Sequence, residues 1–329
     1  MGKHYDIIGD VHGHATPLVR LLEKMGYRQT STPNPCFFHP NRKAIFVGDL
    51  IDRGNENLRT LTIVKTMVDH GHAHMVLGNH EYNALCYHTQ DTTGNYLRPH
   101  IPKNNNQHKR VLDEIADCSS QQDGNWDTYL EWFRTLPLSL ELDGIRVIHA
   151  CWDSNALRAL DNRQGIRDGN GRLSDTFLIE SSQKGSPTHE AIEILLKGKE
   201  IDFPTGHPGV YDRDGNCRKT LRLKWWMSAH ERQHIQTYDQ AVRADACALD
   251  QIAGIHIPEE LLQQIRMTNG TPHDTPVFFG HYWLSGEMKP LNEKAACLDY
   301  SAGLGGPLVA YRWDGEETLD ASRFVSINQ

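Results

Sequence analysis

Gly9-Asp10-Val11-His12-Gly13, Gly48-Asp49-Leu50-Ile51-Asp52-Arg53-Gly54 and Gly78-Asn79-His80-Glu81 all lie within the first 81 residues of a 329-residue chain. Each follows an apolar run, Tyr5 to Ile8, Ala44 to Val47 and Met75 to Leu77, that reads as a buried strand. The motifs therefore fall at the carboxyl ends of strands, where open α/β sheets place their ligands. Asp10 and His12 are two apart, and in extended chain residues i and i+2 point the same way, so the pair can grip one cation. Asp49 brings a carboxylate whose two oxygens can bridge a pair of ions, and Asn79 adds a neutral amide oxygen. Farther on, His149 ends the run Ile145 to Ile148, and His281 follows Val277-Phe278-Phe279-Gly280.

Oxygen and imidazole donors without thiolates suit manganese, iron or zinc. Two divalent ions would meet only two carboxylates in this set, so the site stays net positive even with a bridging hydroxide, and it attracts phosphate. Two metals about 3.5–4 Å apart would acidify a shared water, orient it for in-line attack and hold the phosphoryl oxygens.

In residue type, spacing and order, the three motifs and the two late histidines resemble the calcineurin-like metallophosphoesterases. The likeness is closest to the branch of the Ser/Thr phosphoprotein phosphatases and the bacterial symmetrical diadenosine tetraphosphate hydrolases. It covers residues 5–81, 138–153 and 276–313. The resemblance implies that Asp10, His12 and Asp49 hold one metal, and that Asp49, Asn79, His149 and His281 hold a second. It implies His80 as the general acid, Asp52 as the carboxylate that orients and charges it, and Arg53 as a phosphate clamp. Glu81 is expected to support the loop by hydrogen bonding. A second phosphate-binding arginine is expected between the late histidines, among Arg213, Arg218 and Arg222; Arg222 is preferred because Leu221 to Trp226 is the most strand-like segment there.

The departures are informative. The protein phosphatases follow the first late histidine with two glycines, whereas here the run is His149-Ala150-Cys151-Trp152-Asp153, so the groove on that side should differ. The ending Phe279-Gly280-His281-Tyr282-Trp283, with Leu298-Asp299-Tyr300-Ser301, looks more like the dinucleotide hydrolases. Asp52-Arg53 looks more like the protein phosphatases.

A hydrophobic content of 38% supports one large core or two modest ones. No Pro/Gly/Ser linker divides the chain, and the expected ligands span positions 10 to 281. We therefore expect one metallophosphoesterase domain over 1–329, with insertions at about 82–137 and 154–275. The fold class expected is α/β, a two-layer mixed β-sheet sandwich flanked by helices. A net charge of −8 disfavours a nucleic-acid duplex as partner. No apolar run reaches the length of a membrane span, the first strand leaves no room for a signal peptide, and seven scattered cysteines form no C-x-x-C motif, so a cytoplasmic location is expected.

Helices are expected over Thr16 to Met25, Leu58 to Val68 and Trp126 to Leu136 from their apolar faces. The segment Thr92 to Gln122 is polar and rich in Asn and His, and Leu97 to Arg110 reads as a lid or specificity insert over the metals. Residues 154–185, with Asp168-Gly169-Asn170-Gly171, look like an excursion rich in turns. Trp225-Trp226 reads as core or pocket wall.

The expected function is dinuclear hydrolysis of phosphomonoesters, such as phosphorylated protein side chains, by direct attack of a metal-bound hydroxide. The alternative is a symmetrical dinucleoside polyphosphate hydrolase acting on diadenosine tetraphosphate. A reading from another class is a non-catalytic scaffold that binds a phosphorylated ligand; it would be marked by a missing ligand or acid, and every position here is filled. Expected partners are thus a phosphorylated small molecule, a phosphopeptide or a dinucleotide, with no membrane.

Overall fold

The protein is described by a computed structural model covering residues 4–30, 36–117, 126–204, 206–212, 215, 217–267 and 275–328. Its centre is the strand His4–Ile8, with Tyr5, Ile7 and Ile8 all buried. This strand pairs in parallel with Arg42–Phe46, which pairs in parallel with Ala73–Met75. On its other side it pairs antiparallel with Leu308–Trp313, which in turn pairs with Phe324–Ile327, giving a mixed five-stranded sheet. Parallel neighbours need crossover connections. The helices Ala15–Lys24 and Asn57–Asp69 lie in these crossovers, burying Leu18, Leu21 and Leu22 on the first and Leu58, Leu61 and Val64 on the second.

Register positions the site. Ile8 stands opposite Phe46, and Phe46 opposite Met75, so the three motif loops leave the sheet side by side. The third strand is Ala73–Met75 rather than the expected Met75 to Leu77, because Val76 and Leu77 have already left the ladder and bond to Phe46 and Pro137.

A second mixed sheet has the order Ala295–Cys297, Val277–Phe279, Ile145–Ile148, Ser139–Leu142. Its inner pair is parallel, with Phe278 opposite Val147, which sets His149 and His281 next to each other just beyond the strand ends. The two sheets share one hydrophobic core, and the rings of Phe278 and Tyr311 meet across it at 5.0 Å. The fold is thus an α/β sandwich of two mixed sheets, as expected.

The two intervening regions are more regular than their composition suggests. The polar stretch contains the helix Pro102–Asp117, whose buried residues Asn104, His108 and Val111 recur at helical spacing. Residues 154–185 are half helical, with Ser154–Asp161 and Asp175–Ser182 capped by Asp153 and Ser174, and a third helix, Pro187–Lys197, is capped by Ser186. A smaller separate core, including Leu221, Leu223, Tyr238 and Val242, forms on the three-stranded sheet of Glu200–Asp202, Thr220–Leu223 and Val242–Arg243. Among the described residues no helix is long and apolar enough to cross a membrane.

Candidate metal centre and active site

The backbone marks the site before any side chain is considered. Seven non-glycine residues among those described have positive φ: His12, Asp49, Asp52, Arg53, His281, Trp283 and Ser301. Five of them are site residues expected from the sequence. Such conformations cost energy at a non-glycine residue and persist where the surroundings over-determine them, as in ligand clamps.

Two donor groups share Asp49: His12, Asp49 and His80 on one side, and Asp49, His149 and His281 on the other, with the donor atoms of each group within 4.8 Å of one another. All are buried. The histidine tautomers follow from partners that can only accept. His12 Nδ1 donates to the Ile51 carbonyl at 2.9 Å and His149 Nδ1 to the Val47 carbonyl at 2.8 Å, which leaves each Nε2 with a lone pair facing inward. His149 Nε2 lies 3.0 Å from Asn79 Oδ1 and 3.4 Å from Asp49 Oδ1, while His281 Nδ1 lies 2.7 Å from Asn79 Oδ1.

Lone pairs converging at such distances in a buried site need a cation or a proton between them. The buried atoms Asp10 Oδ1, His12 Nε2 and His281 Nε2 have no hydrogen-bond partner. The residues present therefore fit metal ions. Burial, together with the charges of Asp299 and Asp49, pushes the Asp10 carboxyl well above the usual carboxylate range. Burial of His12 pushes its imidazole down to about 4, so it keeps its lone pair at neutral pH. Burial works against the Asp49 carboxylate, but His149 and His80 outweigh it and hold Asp49 well below the usual range. Asp10 belongs to neither donor group; its Oδ2 accepts the His281 backbone N–H at 3.1 Å, and its Oδ1 is the oxygen left without a partner.

Glycine is required where the loops crowd. A Cβ on Gly280 would lie 1.9 Å from Asp10 Oδ1. Gly48 has φ +100°, and its Cβ would lie 2.6 Å from Gly78 Cα. Glu81 is fully buried and accepts the backbone N–H groups of Asp49 at 2.9 Å, Gly78 at 3.1 Å and Leu50 at 2.7 Å. It is the brace between the second and third motifs, the supporting role expected of it.

His80 Nδ1 donates to Asp52 Oδ2 at 2.5 Å, and His80 Nε2 lies 3.9 Å from Asp49 Oδ2, facing the donor groups. Burial disfavours the imidazolium, but the Asp49 charge and the bond and charge of Asp52 outweigh it, so the pKa of His80 lies above the ordinary histidine value. Asp52 is held far below the usual range, because the bonds and charges of His108 and His80 overcome its burial. Arg53 is exposed, with its guanidinium 5.1 Å from the centre of the Trp283 ring, and that ring in turn lies 6.3 Å from His12.

Arg222 sits on the strand Thr220–Leu223 of the smaller sheet. Its Nε is buried without a partner, and its charge reaches His281 and Tyr282. Arg218 instead pairs with Asp212 at 2.6 Å, and Arg213 lies outside the described residues. Where the protein phosphatases have glycines, the Ala150 carbonyl accepts the Trp225 indole N–H at 2.9 Å, and Trp225 packs on Phe279 at 4.7 Å. Trp225 and Trp226 are both buried, which fits the core reading.

Two functional candidates escaped sequence reasoning. Asp299 appeared only as part of a motif; it is buried, its carboxyl is pushed up to about 6 by burial, and it accepts the N–H groups of Trp283 at 2.8 Å and Ser301 at 2.9 Å. It thereby shapes the loop that carries His281. His108 lay in the expected lid; it is instead buried against Asp52, at 2.9 Å. Arg98, in the same stretch, is taken up by Asn83 and Gln107 at 2.9 and 2.7 Å.

Two mixed sheets whose loops converge on shared carboxylate and imidazole donors define a metal-dependent hydrolase scaffold. The chain belongs to the calcineurin-like phosphoesterase family, whose model matches residues 4–233. It is accordingly a hydrolase acting on phosphoesters, in a family whose members work with divalent metal ions. It is 25% identical to a symmetrical bis(5'-nucleosyl)-tetraphosphatase of Marinomonas sp. strain MWYL1, over 98% of each chain. It is 48% identical to an asymmetrical bis(5'-nucleosyl)-tetraphosphatase PrpE of Geobacillus thermodenitrificans strain NG80-2, over 23% of this chain and 31% of that relative's length. Among solved structures, a protein serine/threonine phosphatase of Saccharomyces cerevisiae aligns with a TM-score of 0.47 at 14% identity, over 99% of this chain and 79% of that one.

Proposed function

We propose that this chain hydrolyses phosphomonoesters with poor leaving groups, alkyl phosphates such as phosphorylated protein side chains, at a dinuclear centre. The observation that carries the reading is the buried Asp52–His80 pair beside Asp49. An alkoxide leaves only if it is protonated as the P–O bond breaks, and a histidine kept charged by a carboxylate is suited to supply that proton. The first ion would be held by Asp10, His12 and Asp49, and the second by Asp49, Asn79, His149 and His281. When bound, the ions supply Lewis acidity toward the phosphoryl oxygens and acidify a water; manganese, iron and zinc all suit these donors. Arg53 and Arg222 would pair with phosphoryl oxygens, His80 would deliver its Nε2 proton to the leaving oxygen, and Asp52 would hold the imidazole in line.

A second reading is supported by the full-length similarity to a symmetrical bis(5'-nucleosyl)-tetraphosphatase. The Trp283 ring beside Arg53 offers a face on which a nucleobase could stack. Its leaving group, a nucleoside polyphosphate, needs far less help from an acid. The two readings separate when the metal-loaded chain is assayed on a phosphoserine peptide and on diadenosine tetraphosphate. Higher kcat/KM on the peptide is expected; higher kcat/KM on the dinucleotide would favour the second reading. The six cysteines among the described residues are all free and four of them are buried, which supports placement in a reducing cytoplasm.

A further inference from the structure

The carboxylate of Asp52 has two oxygens, and each is engaged by a different histidine. Oδ2 accepts from His80 Nδ1 at 2.5 Å, and Oδ1 accepts from His108 Nδ1 at 2.9 Å. The two histidines come from different parts of the chain. His80 lies in the first turn of the helix Asn79–His88, whereas His108 is in the middle of Pro102–Asp117, outside the three sequence motifs. His108 is buried, and its ring is packed against Tyr87 at 5.3 Å, His88 at 5.6 Å and Trp126 at 5.8 Å.

The helix carrying His108 is fixed to the catalytic loop a second time. Glu114 accepts the backbone N–H groups of Asn57 at 2.8 Å and Leu58 at 2.9 Å, at the start of the helix that follows the Asp52-Arg53 turn. Asn57 also donates its side-chain amide to the Gly54 carbonyl at 2.9 Å, which closes that turn. The 102–117 helix therefore grips the turn at Asp52 and again at Asn57.

A carboxylate bonded through one oxygen can rotate about its Cβ–Cγ bond. Held through both, it presents a fixed lone pair to the second donor, and a proton donor is effective only when its geometry is held within a few tenths of an ångström. We propose that His108 is a positioning residue for phosphoester cleavage: by holding Asp52 Oδ1 it aims Oδ2 at His80, and so couples the 102–117 helix to protonation of the leaving group. The inference rests on the reading of His80 as the proton donor. The imidazole of His108 does not reach the substrate; it acts through Asp52.

The test compares two aryl esters, phenyl phosphate and p-nitrophenyl phosphate, on the metal-loaded full chain. Phenolate is the poorer leaving group and depends more on the acid. His108→Phe keeps a ring against Tyr87, His88 and Trp126 but removes the donor; His108→Asn keeps a donor near the Nδ1 position but removes the ring. For His108→Phe we expect kcat on phenyl phosphate to fall about tenfold more than on p-nitrophenyl phosphate, with KM unchanged, as weakened acid catalysis requires. His108→Asn should return the ratio of the two esters to that of the native chain. Equal losses on both esters, or a changed KM with an unchanged ratio, would mean a packing role only and would overturn the proposal. If the Phe variant does not fold, His108→Leu against His108→Asn makes the same comparison between side chains of matched size. A native chain that turned over neither ester would overturn the phosphomonoester reading, and this inference with it; a native chain active on both, with a His108→Phe ratio unchanged, would overturn the inference alone.

Discussion

Replacing Glu81 by glutamine tests whether the metal loops are braced as the structure indicates. In the native chain one oxygen accepts from Asp49 and Gly78, and the other from Leu50. A glutamine can keep its oxygen toward Asp49 and Gly78, but its amide then points donor to donor at the Leu50 N–H. One buried N–H left unsatisfied costs about 1–3 kcal/mol, and turning two charge-assisted bonds into neutral ones removes about 1 kcal/mol more. The sum, about 2–4 kcal/mol, should lower the melting temperature by roughly 4–16 °C at about 2–4 °C per kcal/mol. The damage should also reach the metals, because Asp49 Oδ1 accepts the His80 N–H at 2.9 Å from the same braced loop. Loss of such an outer support typically weakens metal binding about 10–100-fold. Glu81→Ala, with three N–H groups orphaned, should cost about 3–9 kcal/mol, comparable with the whole stability of a domain. Thermal melts of the metal-loaded protein and calorimetric manganese titrations of the stripped protein measure both effects. A Gln variant that melted within about 1 °C of the native chain and bound manganese equally well would refute the brace.

Other outcomes follow from the same geometry. His80→Asn should lower kcat on alkyl phosphates by roughly 10²–10⁴ while leaving metal content intact, and full retained activity would remove His80 as the acid. Because Asp49 and Asp52 raise the His80 pKa against its burial, its proton is kept above the ordinary value of 6.5 and lost only as pH rises through the higher one. The alkaline limb of kcat should therefore lie above that value and move down in Asp52→Asn, where the charge is gone; an unmoved limb would assign it to another group. Arg53→Ala and Arg222→Ala should each raise KM for a phosphoserine peptide, with Arg53 acting from an exposed and Arg222 from a half-buried position; unchanged KM in either would free that arginine of the clamp role. Stripping the metals should lower the melting temperature, and manganese at about 100 times its Kd should restore about 2.7 kcal/mol for each site filled. A melt insensitive to chelation and manganese would speak against a built metal centre.

What the sequence disclosed and what it hid have physical reasons. The metal loops were legible because three short apolar runs are each followed within two residues by a carboxylate or an amide; one such run alone reads equally as strand or buried helix, and the repetition in order selects strands with ligands at their ends. The helix Pro102–Asp117 was hidden because the first half of its inner face is polar, Asn104 and His108, and the apolar part, Val111 and the partly buried Ile115, is confined to its second half. The helices after residue 153 were signalled by Asp153, Ser174 and Ser186 as caps, with Pro187 at the first helical position. The turn-forming run Asp168-Gly169-Asn170-Gly171 between them dominated the reading instead. Asp299 could be seen in the sequence but not interpreted, since its meaning lies in two backbone N–H groups, of Trp283 and Ser301, that only the folded loop presents to it. Arg222 became a stronger candidate than its neighbours for a tertiary reason, an unpartnered buried Nε near His281.

The most direct test of the dinuclear phosphoesterase is to strip the chain of metal, reconstitute it separately with manganese, zinc and iron, and measure bound metal and turnover of a phosphoserine peptide and diadenosine tetraphosphate in the same samples. No turnover is expected without metal, with two ions bound per chain in the active form and faster hydrolysis of the peptide. Absence of turnover on both substrates with every metal would contradict the dinuclear phosphoesterase.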